Sequence, residues 1–263
     1  MRNRQGEANN MHPIIEARDL SKDYGQFGAL HGLNLQVHEG SVFALLGASG
    51  AGKTTAIKIL LNLIRPTRGS ATVCGADSRA IGPEVLAQIG YVSENQVLPA
   101  RLRVDEFFRY VRGFYASWDR NLEEELRGQF RLPPGRRIGA LSHGMRLKMA
   151  LACALPFQPK LLVLDEPLSG LDALARDEII AGFLRQAGRM TILVSSHELD
   201  EVERFATHVA FLHEGRLLFQ GLVAALAEFA RPVLPALVTD TPERASLRAI
   251  FVALVQAARK SRH

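Results

Sequence analysis

The hydrophobic positions of this chain follow two different periods, which predicts a mixed α/β fold. Apolar and polar residues alternate over residues 14–20 and 29–37, as in half-buried strands, whereas residues 42–46 form a continuous apolar run typical of a buried strand. Further short strands, each bounded by turn residues, are predicted at residues 70–74, 161–164, 191–195, 209–212 and 217–220.

Between residues 95 and 156 the apolar period changes to that of helices, which predicts an inserted helical subdomain. The helical spacing is found over residues 104–115, 122–130 and 145–155. Two more helices are expected outside this segment, at residues 56–61 and 173–186.

The two ends of the chain differ from its centre. Residues 1–11 are polar, which predicts a frayed leader or a misassigned start before Met11. Prolines interrupt the C-terminal part, but its last segment has apolar residues at helical spacing and predicts a helix docked on the core. The residues of this apolar stripe are Leu247, Ile250, Phe251, Leu254 and Val255.

Composition restricts the class of protein without identifying its function. The 263 residues are 47% hydrophobic and 22% charged, as in ordinary globular domains. No apolar stretch approaches the roughly 20 residues needed to cross a bilayer and no signal-peptide pattern is seen, so a cytosolic or peripheral protein is expected. Cys74 and Cys153 lack metal-ligand spacing and are expected to pack in the core. The net charge of +5 comes with scattered arginines, which favours a solvated surface over a nucleic-acid site.

The sequence Gly-Ala-Ser-Gly-Ala-Gly-Lys-Thr-Thr directly follows the predicted strand at 42–46 and predicts a phosphate-binding loop. Its backbone N–H groups would surround the phosphates at the N-terminus of the next helix. Lys53 would reach the β- and γ-phosphates, and Thr54 would offer its hydroxyl to Mg²⁺. The expected nucleotide-binding residues here are Gly47, Ala48, Ser49, Gly50, Ala51, Gly52, Lys53, Thr54 and Thr55.

Two carboxylates, Asp165 and Glu166, follow the apolar run at 161–164. Ligands of open α/β sheets bind at the C-terminal edge of the strands, where these acids would lie. Asp165 is suited to hold Mg²⁺ through water, and Glu166 to orient and deprotonate the attacking water. Ser142 is expected to cap the helix that follows it and to form a second anion site, although an ordinary helix cap is the local alternative.

Five motifs occur in a fixed order: the phosphate loop, Leu-Ser-His-Gly at 141–144, Leu-Leu-Val-Leu-Asp-Glu-Pro at 161–167, Ser-Gly-Leu-Asp at 169–172 and Ser-Ser-His at 195–197. Over about residues 14–220, this order resembles the nucleotide-binding subunit of an ATP-binding cassette (ABC) transporter. The tail with its short final helix is similar to exporter-type cassettes that are encoded apart from their membrane subunits.

The resemblance implies a fold and a domain division. The fold would be a P-loop NTPase core of class α/β with a mixed sheet, a small antiparallel β subdomain and an inserted helical subdomain over about residues 95–156. Residues 1–13 would be a flexible leader, residues 14–221 the ATPase domain and residues 222–263 a helical tail. The protein would bind at the cytoplasmic face of the cell membrane to an integral membrane permease.

The resemblance also implies ATP sites shared in a head-to-tail pair with a second nucleotide-binding subunit, either an identical copy or a related cassette. Each site would take one set of residues from one subunit, Lys53, Thr54, Asp165, Glu166 and His197, and a second set from the other, Ser142, Gly144 and Asp172. His197 would contact the γ-phosphate and align the attacking water with Glu166. Tyr24 would stack on adenine, a contact worth about 1–3 kcal/mol per base.

Two positions depart from the family pattern. The signature has His143 and Met145 around Gly144 in place of the usual Gly and Gln. Glu94 stands where a glutamine is usual, with Gln96 two residues later, and either side chain could serve near Mg²⁺.

The helical subdomain would dock on the permease, with Phe107 or Phe108 on its contact surface and residues 94–98 as a hinge. The alternative is that these apolar helices belong to the core. No nucleic-acid partner is expected. The alternatives are a non-transport ATPase of the same class acting on nucleic acid or the ribosome, and an ATP-sensing regulator.

Overall fold

The computed structural model describes residues 13–234 and 246–260, which form two sheets and the helices packed on them. The strands are β1 (Pro13–Tyr24), β2 (Phe27–His38), β3 (Val42–Leu46), β4 (Arg68–Val73), β5 (Ala76–Asp77), β6 (Ile89–Ser93), β7 (Leu161–Asp165), β8 (Thr191–Ser196), β9 (His208–His213) and β10 (Arg216–Leu222). The helices are α1 (Lys53–Leu60), α2 (Pro83–Leu86), α3 (Val104–Arg112), α4 (Arg120–Gln129), α5 (His143–Ala154), α6 (Ala173–Leu184), α7 (Leu199–Val202), α8 (Val223–Ala230) and α9 (Leu247–Lys260).

The larger sheet has the strand order β10-β9-β3-β8-β7-β6, parallel from β9 to β6 and closed by the antiparallel edge strand β10. In this register Leu46 lies opposite Ser196, and Asp165 lies between Ser93 and Ser195. The C-terminal ends of the strands therefore meet at one edge, which is where α/β sheets bind their ligands.

The smaller sheet is antiparallel, with the order β2-β1-β4-β5. Its β1–β2 hairpin ends with Tyr24 opposite Phe27. The mixed sheet and the separate antiparallel sheet confirm the predicted fold class.

Both faces of the larger sheet are covered, which explains the unbroken apolar run of β3. Ala44 and Leu46 pack with α3, α4, α5 and α6 on one face, whereas Phe43 and Leu45 pack with α1 and the antiparallel sheet on the other. Burial of apolar area on both faces stabilises the fold by about 25 cal/mol per Å² removed from water.

Helix α9 docks on this core, as its apolar stripe predicted. Leu247, Ile250 and Leu254 are buried, and the ring of Phe251 lies 5.2 Å from that of Phe211. The outward side of the helix is fixed by an ion pair of 2.9 Å between Arg248 and Asp200. None of the helices within the two described ranges is long and apolar enough to cross a membrane.

Several expectations were wrong or incomplete. Phe108 is fully buried in the core and cannot lie on a docking surface, whereas Phe107 is buried but still lines a cavity of about 110 Å³. Cys153 is buried as predicted, but Cys74 is half-buried, in a turn with a φ of +50°. Strands β5 and β6 and helices α2 and α7 were not predicted, and α8 lies within the segment expected to be a helical tail. The leader over residues 1–11 lies outside the described residues.

Candidate active site

The predicted phosphate loop connects β3 to α1, and its glycines are required by close contacts and by backbone conformation. Gly52 is the N-cap of α1 with a φ of +104°, and a Cβ there would lie 2.6 Å from the carbonyl oxygen of Ala29. At Gly47 a Cβ would collide with the carbonyl oxygen of Leu212. Gly50 has open space around it but a φ of +78°, which L-residues rarely adopt. The loop therefore exposes its backbone N–H groups at the start of a helix.

Lys53 is buried and its ammonium group is fully engaged by oxygens. Its Nζ donates to the carbonyl oxygens of Gly47 at 2.7 Å and Ala48 at 3.1 Å, and forms an ion pair of 2.9 Å with Oε1 of Glu166. A triphosphate that enters the loop must therefore replace the Glu166 oxygen on this ammonium group.

Asp165 lies at the C-terminal end of β7 and is held by two hydroxyls. Its Oδ1 accepts hydrogen bonds from Ser195 Oγ at 2.7 Å and from Thr54 Oγ1 at 3.1 Å. Burial raises the pKa of Asp165, and the neighbouring Glu166 raises it further, while the hydrogen bonds from Ser195 and Thr54 and the charge of Lys53 act in the opposite direction. Burial of this carboxylate outweighs the groups that stabilise its charge.

Glu166 is turned by an unusual backbone conformation towards two functional residues. Its φ is +52°, which costs an ordinary residue of order 1 kcal/mol. Its backbone N–H donates to Ser195 Oγ at 3.0 Å. Its side chain lies between Lys53, on Oε1, and His197, whose Nδ1 is 2.8 Å from Oε2. Ser195 thus fixes both consecutive acids, a role that the sequence did not predict.

A cleft of about 370 Å³ opens over the phosphate loop. Most of the predicted nucleotide-binding residues line it, together with Phe27 and Ser169, which were not predicted. Its lining residues are Tyr24, Phe27, Ala29, Ser49, Gly50, Ala51, Gly52, Lys53, Thr54, Thr55, Glu94, Glu166, Ser169 and His197. Gly47 and Ala48 contribute through their carbonyl contacts with Lys53, and Asp165 lies behind Thr54.

Two exposed aromatic residues at the rim are suited to hold a base. Tyr24 and Phe27 are cross-strand partners at the end of the β1–β2 hairpin. The ammonium group of Lys22 lies 5.1 Å from the centre of the Tyr24 ring, a cation–π contact. The position of Phe27 opposite Tyr24 in a tight hairpin is the signal that could have identified it.

Glu94 and Gln96 lie in different places. Glu94 lines the cleft over the phosphate loop, and its backbone N–H donates to the carbonyl oxygen of Asp165 at 3.0 Å. Gln96 does not line this cleft. It lines a separate small cavity of about 20 Å³, together with His143 and Glu94. The geometry therefore favours Glu94 as the side chain near the phosphates.

Ser142, Gly144 and Asp172 do not line this cleft. Ser142 is the exposed N-cap of α5 and accepts a hydrogen bond from Met145 N at 3.3 Å. Asp172 is the N-cap of α6 and accepts one from Ala175 N at 2.8 Å. The two helix ends are neighbours, because a Cβ at Gly144 would lie 3.4 Å from the side chain of Leu171.

The side chains of the described residues do not by themselves form a closed metal cage. Within residues 13–234 and 246–260, no three His, Cys, Asp or Glu side chains are grouped closely enough to hold an ion. Thr54 and Asp165 are adjacent oxygen donors beside the phosphate loop. Such a pair fits an ion that takes its remaining ligands from phosphate and water, as Mg²⁺ does.

The sheet, the phosphate loop and the paired acids define a P-loop nucleoside triphosphatase. The ABC transporter family profile matches residues 30–169, more than half of the chain, so the chain belongs to the ABC transporter family. The ordered motifs predicted this membership correctly. The chain is an ATP-binding and ATP-hydrolysing subunit that powers a transporter of this family.

Known proteins show the extent of the similarity. The chain is 35% identical to the bacitracin transport ATP-binding protein BcrA of Bacillus licheniformis, over 79% of this chain and 69% of that protein. It is 32% identical to the probable multidrug ABC transporter ATP-binding protein YbhF of Escherichia coli (strain K12), over 79% of this chain and 37% of that protein. The chain therefore spans about two thirds of the first relative and little more than one third of the second. A solved structure described as the ATP binding subunit of an ABC transporter superposes with a TM-score of 0.80 at 28% identity, covering 92% of this chain and 99% of that one.

Proposed function

We propose that this chain pairs head to tail with a second copy around two ATP molecules, and that this closure drives export through a membrane permease. The observation that carries the proposal is the position of the α5 N-terminus. Ser142 and Gly144 lie at this helix end, outside the ATP cleft of their own chain. A helix N-terminus attracts anions, so these residues are suited to contact the phosphates bound by a second copy.

The neighbouring surface supports a contact between copies. Leu174 follows the Asp172 cap of α6 and is 71% exposed. An apolar side chain beside two exposed helix caps is suited to be covered when a second subunit approaches. The two-fold pairing of identical chains would then complete two equivalent sites.

In the closed site each group of the chain has a defined task. Lys53 and the loop N–H groups hold the β- and γ-phosphates, and Glu166 accepts a proton from the attacking water while His197 fixes the position of the Glu166 carboxylate. Thr54 and Asp165 would hold Mg²⁺, which neutralises developing charge on the phosphates when bound. Most of the catalysis is positioning and charge neutralisation, as expected for phosphoryl transfer.

The class of cargo is inferred from the relatives. BcrA is named for bacitracin transport and YbhF for multidrug transport. Bacitracin or another drug is therefore the proposed cargo, exported through a permease whose own helices would recognise it. The present chain would act as a peripheral subunit on the cytoplasmic face of the membrane.

The permease contact is proposed at the exposed aromatic residues of the helical subdomain. Tyr110 is 58% exposed and Phe114 is 67% exposed, and their rings form an edge-to-face pair with centres 5.0 Å apart. We propose Tyr110 and Phe114 for this contact in place of Phe107 and Phe108, whose side chains are buried. Exposed aromatic pairs are typical centres of protein interfaces.

Mixing two inactive variants tests the shared site. Lys53→Ala removes the phosphate contact of one half-site, and Ser142→Arg blocks the other half. In a mixed dimer one composite site carries both changes and the other carries neither. Since half of the dimers in an equal mixture are mixed, phosphate release should recover to roughly a quarter of the wild-type rate if sites act independently.

The controls separate the shared site from simple loss of folding. Ser142→Asn keeps an N-cap side chain and should preserve the thermal stability of the helix. Full ATPase activity of Ser142→Arg alone would contradict the proposal, because the residue would then contribute to no site.

For the permease contact, Tyr110→Asp should abolish co-purification with the membrane protein encoded beside it, whereas Leu63→Asp, another exposed apolar position, should not.

A further inference from the structure

Arg176 lies in the first turn of α6, and its guanidinium group joins two loops of the site. Its Nε donates to the carbonyl oxygen of Leu171 at 3.1 Å. Its Nη1 and Nη2 donate to the two carboxylate oxygens of Glu198 at 2.5 Å and 2.8 Å. All three contacts use the planar fork of one guanidinium group, a geometry that lysine cannot reproduce.

The two joined loops belong to different halves of the proposed dimer site. Leu171 directly precedes Asp172, on the loop that would meet the second copy. Glu198 directly follows His197, which contacts Glu166 in the cleft of the same chain. Glu198 is also fixed from its backbone, since its N–H donates to Ser196 Oγ at 2.9 Å. Arg176 therefore contacts the sequence neighbours of both Asp172 and His197.

We propose that Arg176 is a positioning residue that couples the Asp172 loop to His197, so that contact with the second copy sets the His197–Glu166 pair for hydrolysis. This inference rests on the proposed pairing of two copies. Pressure on the Asp172 loop moves the Leu171 carbonyl, and the rigid guanidinium group transmits the movement to Glu198. His197 then shifts with its neighbour, and the ATP site of one subunit responds to the closure of the other.

The helix itself does not depend on this contact for its fold. Asp172 caps its N-terminus, and Ile179 and Phe183 anchor it in the core. Another ion pair joins Glu178 of α6 to Lys148 of α5. The side chains of Arg176 and Glu198 are about three quarters shielded from water, with 24% and 22% exposure, so solvent screens their interaction less than that of a surface pair.

The same helix supplies a matched control. Asp177, the next residue of α6, forms an ion pair of 3.1 Å with Arg204, and both side chains are more than half exposed. Asp177→Asn removes this pair but leaves the contact of Arg204 with Glu201 in place, which matters because Glu201 also lies 3.8 Å from Arg176. It touches neither the Leu171 carbonyl nor Glu198. It should therefore leave ATP hydrolysis unchanged.

The test compares steady-state ATPase kinetics of Arg176→Lys, Glu198→Gln and Asp177→Asn in the purified full chain. Arg176→Lys and Glu198→Gln should lower kcat by roughly 10- to 100-fold, because a misplaced catalytic group loses its alignment. KM for ATP should stay within about twofold, since the phosphate contacts are intact, and the Hill coefficient for ATP should fall towards 1 because the two sites no longer respond to each other.

Measuring dimerisation in two backgrounds distinguishes the coupling by Arg176 from the pairing of two copies on which it rests. ATP-driven dimerisation is measured by light scattering in the Glu166→Gln background, with and without Arg176→Lys. A dimer in both, together with the kinetic loss, supports the coupling. Wild-type kcat and Hill coefficient in Arg176→Lys would overturn the coupling alone. Absence of the dimer in Glu166→Gln itself would overturn both the pairing of copies and the coupling.

Discussion

The ammonium group of Lys53 and the carboxylate of Glu166 form an ion pair of 2.9 Å, so the two proposed catalytic groups are bound to each other. In the proposed mechanism the lysine binds phosphate and the glutamate binds the attacking water. Neither can do so while they are paired. We therefore expect the γ-phosphate to displace Oε1 of Glu166 from Lys53, which would link nucleotide binding to the release of the proposed base.

Replacing Glu166 with glutamine should separate these two events. Glu166→Gln removes the proton acceptor, and turnover should fall by about 10²–10⁴, the usual contribution of a general base. ATP should bind at least as tightly as to the wild type, because a neutral amide competes less well than a carboxylate for the Lys53 ammonium group. Phosphate release and an equilibrium ATP titration measure the two effects.

The matched control is Glu84→Gln, which changes an exposed glutamate on α2 that does not line the cleft. It should alter neither quantity. Normal hydrolysis in Glu166→Gln would remove this residue from the role of base. Weaker ATP binding in that variant would contradict competition between Glu166 and phosphate for Lys53.

The sequence predicted the parts of the site that are local in the chain. The phosphate loop from 47 to 55 could be recognised because a strand, a glycine turn and a helix start follow one another within a few residues. The contacts among Lys53, Glu166 and Ser195 depend on the order of β3, β8 and β7 in the sheet, which no local pattern specifies. For this reason Ser195, which holds both acids, had no predicted role.

Asp165→Asn should stabilise the nucleotide-free protein at neutral pH and abolish most ATPase activity. The pKa of Asp165 is raised by burial, so the folded state binds this proton more tightly than the unfolded state does. Its contribution to stability is therefore present below the unfolded pKa of about 4 and is lost as pH rises through the raised folded pKa. An asparagine carries no charge at any pH and keeps an oxygen for Ser195 and Thr54 to donate to.

Thermal unfolding of Asp165→Asn and wild type, in buffers without nucleotide or divalent ions, tests this sign. The variant should have the higher Tm at pH 8, and the difference should shrink as pH is lowered towards about 4. Asp77→Asn provides an opposite control, because the pKa of the exposed Asp77 is lowered to about 2 by its hydrogen bonds with Arg79. A lower Tm of Asp165→Asn at pH 8 would refute the argument.

The helical segment shows where sequence periodicity stops being informative. In α3 the residues Val104, Phe107 and Phe108 follow the helical period and form its buried face. The period shows that they share one face but not whether the core or a partner covers it. Strand β6 was missed for another reason: Gly90 weakens the strand signal, yet a Cβ there would lie 2.8 Å from the carbonyl oxygen of Ala154.

Substitutions on the two faces of α3 should therefore differ in their effect on the free energy of unfolding. Phe108 is fully buried, with the guanidinium group of Arg127 5.1 Å from its ring centre. Phe108→Ala should lower the free energy of unfolding by about 3–5 kcal/mol, the usual cost of removing a buried aromatic ring. Tyr110→Ala, on the exposed face, should change it by less than about 0.5 kcal/mol. Urea unfolding followed by circular dichroism measures both, and equal losses would disprove the assignment of faces.

Two glycines of the site should respond differently to alanine. Gly52→Ala places a methyl group 2.6 Å from the Ala29 carbonyl oxygen at a φ of +104°, so the chain should unfold at a lower temperature and bind ATP weakly. At Gly144 the added methyl group would meet Leu171 at 3.4 Å, an ordinary van der Waals distance. Gly144→Ala should therefore keep the wild-type Tm.

Gly144→Ala should lower the ATPase rate and not the stability, because the residue is proposed to face phosphate held by a second copy. Its ATPase rate should drop by at least about tenfold while isolated chains bind ATP normally, since their own cleft contains no Gly144 contact. Gly128→Ala, at another helical glycine with open space for a methyl group, serves as the control and should match the wild type. Unchanged hydrolysis by Gly144→Ala would show that this helix end approaches no phosphate.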